Sequence, residues 1–77
     1  MPRYFFHVLN NRAIVDTEGT ELSGLAEARK MAVKTAGTIL AAEGEQFWRD
    51  GKWRMSVADE AGTICFTLDF TADTHGK

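Results

Sequence analysis

This chain is short of the residues that usually advertise chemistry. It has one cysteine and one proline in 77 residues. A lone Cys65 cannot close an internal disulfide, so no oxidising compartment is implied. The longest apolar run near the start, YFFHVL, is far too short to span a bilayer and lacks the layout of a signal peptide. No charge of one sign dominates: the net charge of −2 argues against whole-surface attraction to nucleic acid, although a local basic patch could still act. There is no Gly-rich phosphate loop, and no paired carboxylates fall in a recognisable pocket. A domain this small also has little room for an enclosed cavity. The expectation is a protein that is not an enzyme and needs no cofactor.

What is present is globular. With 44% hydrophobic and 26% charged residues, the chain can bury a core, though its length is near the lower limit for one without staples. A soluble cytoplasmic protein is the default expectation. Residues 16 to 27 are acidic, 29 to 34 basic, 49 to 54 basic and 59 to 69 acidic. No block is long enough to be a tail, so these read as solvated faces.

Aromatic and β-branched residues fill RYFFHVL (3–9), and RAIVD (12–16) follows after Asn10-Asn11. Asparagine tolerates the positive φ of a two-residue turn, so the two runs read as a hairpin. Direct pairing sets Val8 opposite Ala13 and Phe6 opposite Val15. Phe5, His7, Leu9 and Ile14 then share the other face.

Between 25 and 42, Leu25, Ala28, Ala32, Ala36, Ile39 and Leu40 recur at the spacing of a buried helix face. Ser23 or Gly24 caps its start, and Gly44 is a natural stop. A loop around EGEQFWRDGK (43–52) comes next. WRMSVAD (53–59) and ICFTLDF (64–70) alternate cleanly, and a turn at Ala61-Gly62 pairs Val57 with Phe66, Met55 with Leu68 and Trp53 with Phe70. The opposite side then pairs Ala58 with Cys65, Ser56 with Thr67, and Arg54 with Asp69. The expected fold is α+β: a four-stranded, mainly antiparallel sheet in the order strand-strand-helix-strand-strand, with one long helix on one face. Residues 1–70 form the single domain and 71–77 a flexible tail.

Three stretches carry candidate chemistry. VDTEGTELSGL (15–25) sets Asp16, Glu18 and Glu21 around Gly19, which is the ligand type of a calcium loop without its offsets. It reads as a turn that starts a helix, Glu27 favouring the positive end of the dipole. Cys65 and His7 are soft ligands on one sheet face, and Asp69 could orient His7 if the first and last strands are neighbours. Two ligands do not make a zinc site. FWRDGKWR (47–54) interleaves Phe47, Trp48 and Trp53 with Arg49, Lys52 and Arg54, the mixture that binds single-stranded nucleic acid. Against this, Trp53 points into the expected core.

MPRYFFHV at the start, D-x-E-G-x-E-L at 16 to 22, A-E-A-R at 26 to 29 and W-R-M-S-V-A-D-E-x-G at 53 to 62 together resemble a family of small alphaproteobacterial proteins defined only as a domain of unknown function. The resemblance runs to about residue 70 and implies no activity, ligand or catalytic residue. A weaker similarity, carried by EGTELSGL leading into an Ala-rich helix, is to the antitoxin members of HicB-like pairs. It implies a nucleic-acid-associated regulator using Arg49, Lys52 and Arg54, without the appended DNA-binding segment.

One helix can cover only one face of the sheet. The other shows Phe5, Leu9 and Ile14 around His7, a patch that a small chain should not leave in water. The leading expectation is therefore a homodimeric interaction domain that associates through this face or through edge strands, with another protein as the alternative partner.

Overall fold

RYFFHVL forms the first strand, β1 (Arg3–Leu9), and the computed structural model, which describes residues 1–75, places it inside an antiparallel sheet. On one side β1 pairs with β2 (Ala13–Ile14) and then with β3 (Thr20–Glu21). On the other it pairs with β4 (Lys52–Ala58), which in turn pairs with β5 (Ile64–Thr71). The order is β2-β1-β4-β5, with β3 beside β1. The fold is α+β, as its pattern implied. Thr71 belongs to β5, one residue past the expected strand end, and residues 76 and 77 of the expected tail lie outside the described residues.

The first turn differs from expectation by one residue. Asn11 takes the left-handed conformation at φ 86, and the Asn10 N–H donates to the Arg12 carbonyl, so the loop spans Asn10 to Arg12. Val8 therefore faces Ile14 and Leu9 faces Ala13, in place of the expected Val8–Ala13 and Phe6–Val15 pairs. A one-residue slip moves every side chain to the other face. Ile14 accordingly stands with Val8, not with Phe5, His7 and Leu9.

The second strand is also broken. Four steps along β1, from Val8 to Tyr4, are matched by six along the partner, from Ile14 to Thr20. The two extra residues bulge out as the acidic loop between β2 and β3.

The long helix, α1 (Leu25–Ala42), has the expected bounds, with Gly24 at its N-cap. Ala28, Ala32 and Ala36 are fully buried, so the helix backbone approaches the sheet closely. Gly44, expected to end the helical region, begins a second helix, α2 (Gly44–Asp50), where a loop was expected. Glu43 serves both: its N–H donates to Ile39 and its carbonyl accepts from Phe47. The chain bends there without leaving helical hydrogen bonding. The tertiary reason is Phe47, which packs against the core. Gly51, at φ 76, closes α2 and releases the chain into β4.

The β4–β5 register is the expected one from Trp53–Phe70 to Val57–Phe66. It then slips at a bulge, so Ala58 faces Ile64 and not Cys65. The connecting loop is longer than a two-residue turn because the Asp59 carboxylate accepts from both Ala61 and Thr63.

The core lies between α1 and one sheet face, where Tyr4, Val8, Trp53, Met55 and Val57 meet the alanine line and Leu22. Met55 and Val57 are fully buried, each contributing about 1.5–3 kcal/mol of transfer free energy. Among the described residues, no helix is long and apolar enough to cross a membrane.

Candidate functional site

The face turned away from α1 is where the sequence placed its candidates. Strand pairing assembles it in three rows: Phe5–Ala58–Ile64, His7–Ser56–Thr67 and Leu9–Arg54–Asp69. Ile64 enters the first row because the bulge turns it away from the helix. It is 52% exposed and Leu9 51%, while Phe5 and His7 are half-buried with their rings stacked at 6.4 Å and 10°.

The acidic loop folds over the β1 end of this face. Asp16 is its clasp: Oδ1 accepts the Glu18 and Gly19 N–H groups at 3.1 and 3.0 Å, and Oδ2 accepts the Phe6 N–H at 3.1 Å. The Asp16 N–H donates to His7 Nδ1 at 3.0 Å, which fixes the neutral ring as the Nε2–H tautomer. Burial works to raise the Asp16 pKa, but the Gly19, Phe6 and Glu18 N–H groups outweigh it, joined by His7 when charged, and the net shift is downward. Glu21 pairs with Arg3 at 3.1 Å, and Arg3 also donates to the Glu18 carbonyl at 2.8 Å. Gly19, at φ 72, lies against Arg3 and Phe5 so closely that a Cβ there would come within 2.8 Å of both. The loop is a fastener. The Asp16 carboxylate faces backbone amides and that of Glu21 an arginine, contacts that close the bulged strand. The pattern that announced it is an aspartate followed two and three residues on by amides it can cap.

The His7–Cys65 pairing does not form. β4 lies between β1 and β5, so the two residues sit on strands that are not neighbours. Asp69, expected to orient His7, instead binds Arg54 at 2.6 Å and holds that guanidinium's pKa above its ordinary value. His7 is oriented by Asp16. Among the described residues, no three His, Cys, Asp or Glu side chains gather to hold a metal ion.

The basic and aromatic segment is divided by the fold. Trp53 is 3% exposed and packs edge-on against Phe70 at 5.7 Å, on the helix side. Alternation along β4 puts Lys52 and Arg54 on the opposite side, while Arg49 and the 66%-exposed Trp48 ride on α2. A cleft of about 840 Å³ that the sequence did not suggest separates the first turn from the α1–α2 junction. Asn10 bridges it to Glu43 at 3.3 Å.

Residues 3–71 match the family model described as Domain of unknown function (DUF6894), and the chain belongs to that family. No curated protein and no solved structure matches it.

Proposed function

We propose that this member of the family is a small, non-enzymatic, cytoplasmic protein-interaction domain that self-associates through the sheet face its helices leave uncovered. The observation that supports the reading is the apolar row Phe5–Ala58–Ile64, which crosses three strands of that face. Ile64 is about half exposed, so the row reaches solvent-facing apolar surface, and the equally exposed Leu9 adds a second apolar contact beyond the His7–Ser56–Thr67 row. The Arg54–Asp69 pair lies in the Leu9 row and gives that end of the face a polar rim. Two copies meeting face to face would stack these rows, with Ile64 and Leu9 as the exposed apolar contacts and Phe5 packed beneath the acidic loop at the β1 end.

Phe5→Lys tests the reading. Native mass spectrometry is expected to show the assembly mass halved, with circular dichroism reporting a folded chain. Ile14→Lys, on the Val8 side of its strand, leaves the mass unchanged. An unchanged mass for a folded Phe5→Lys would overturn the proposal.

A further inference from the structure

The two edges of the sheet are unlike. At one, β2 and β3 are two residues each and are separated by a bulging acidic loop, so little regular ladder is available. Such an edge is blunted against other chains. At the other, β5 runs for eight residues and pairs only with β4 among the described residues. It contains no proline and no lysine, and its single charge, Asp69, is already held by Arg54. The one irregularity, the bulge near Ile64 and Cys65, sits at its start and leaves the rest straight. Its helix-side residues are incompletely covered: Phe66 and Leu68 are half-buried, and Phe70 is 37% exposed.

We infer that β5 is a second, independent self-association surface, pairing antiparallel with β5 of a second copy about a two-fold axis centred on Leu68. The occupant is another copy because the strand is complementary to itself in that register. Phe66 meets Phe70 of the partner subunit twice, Leu68 meets its equivalent, and each Thr67 hydroxyl stands opposite a partner Asp69 carboxylate. Aromatic and hydroxyl pairs of this kind are the favourable cross-strand contacts. Other centres are worse. One residue further on, the two Asp69 carboxylates would oppose each other. One residue back, Ile64 would have to face Phe70 on the helix side, and the bulge has turned it to the other face. The required backbone donors and acceptors are those an edge strand leaves unpaired. The axis is normal to the sheet, whereas face-to-face packing uses an axis within its plane. The two interfaces are therefore compatible, and they close a tetramer with two-fold symmetry in each direction when the two axes intersect.

Disulfide trapping tests the edge separately from the face. In a Cys65→Ser background, Leu68→Cys places one cysteine on the axis, where paired Cα atoms lie about 4.5–5.5 Å apart, within reach of a disulfide. With native Cys65 retained, Thr71→Cys puts Cys65 opposite position 71 of the second copy, a link that cannot form within one straight strand. Mild oxidation is expected to give covalent dimer in both variants, and equally when Phe5→Lys is added. The reference is Glu45→Cys in the Cys65→Ser background, which reports random collisions from α2. Yields no higher than that reference in the folded variants overturn edge pairing. Trapping that persists with Phe5→Lys while the mass of that variant is unchanged would remove the face reading and leave the edge standing. A halved mass without trapping would do the reverse.

Discussion

The carboxylate of Asp16 accepts the backbone N–H of Phe6 at 3.1 Å, so a side chain stands where the interrupted second strand supplies no ladder carbonyl. The same carboxylate also holds the Glu18 and Gly19 amides. One residue thereby closes a bulge that would otherwise strand three donors.

Asp16→Ala should cost about 1–3 kcal/mol, the usual penalty for leaving partly buried donors unmet. In a domain of this size that corresponds to a melting-point drop of about 4–8 °C per kcal/mol. Urea unfolding at neutral pH checks it. A loss within the ordinary surface range of about 0.5 kcal/mol would show that water replaces the clasp.

Acid should weaken the same contact. Burial pushes the Asp16 pKa up, but amide donation from Gly19, Phe6 and Glu18 prevails, so the folded value lies below the unfolded one, about 3.9. The unfolded chain then binds protons first, and stability is fully present above the unfolded pKa and lost as pH falls through the folded one. Urea midpoints between pH 7 and pH 3 should fall more steeply for the wild type than for Asp16→Asn. Glu27, held low chiefly by the Ser23 N–H, leaves a smaller acid slope in the variant. Parallel curves would remove Asp16 from the account.

Two glycines should respond oppositely to alanine. At Gly19 the backbone is left-handed and a Cβ would strike Phe5 and Arg3, so Gly19→Ala should destabilise by about 1–3 kcal/mol. At Gly37, inside α1 with nothing near the added carbon, Gly37→Ala should stabilise by up to about 1 kcal/mol. Thermal unfolding of the pair gives both signs in one experiment.

The alanine line admits little enlargement. Ala32 is fully buried between α1 and the sheet, and Ala32→Leu should cost about 1–3 kcal/mol by overpacking. Val33 on the same helix is 62% exposed, and Val33→Ala should change stability by less than about 0.5 kcal/mol. Equal effects from denaturant unfolding would mean that α1 does not sit as tightly as its alanines suggest.

The fold splits the basic segment, and Arg54 is engaged by Asp69. Fluorescence of the exposed Trp48 is therefore expected to ignore short RNA and DNA at low salt. A titration that quenches it, and weakens steeply as salt is added, would revive the nucleic-acid reading through Arg49 and Lys52.

Much of this architecture was legible in the order of residues. The α1 bounds followed from a 3.6-residue apolar period, and the β4–β5 register followed from strict alternation together with Arg54 opposite Asp69. Both signals are local, and neighbouring residues suffice to set them. Where local rules allowed two answers, the sequence was silent or misleading. Asn10-Asn11 suits a two-residue or a three-residue turn, and Gly44 can end one helix or begin another. The surroundings chose: Phe47 gained a place in the core by continuing the helix, and Asn11 alone took the left-handed conformation.

By itself the sequence determined an α+β chain whose helix buries alanines and whose last two strands pair in one register from Trp53–Phe70 to Val57–Phe66. Tertiary structure alone decided that β4 separates β1 from β5, which parts His7 from Cys65, and that the acidic loop closes over Phe5 and His7. Strand order depends on which edges meet in space, and the clasp on a carboxylate reaching one amide ten residues away in the chain, that of Phe6. Neither relation leaves a periodic trace along the sequence.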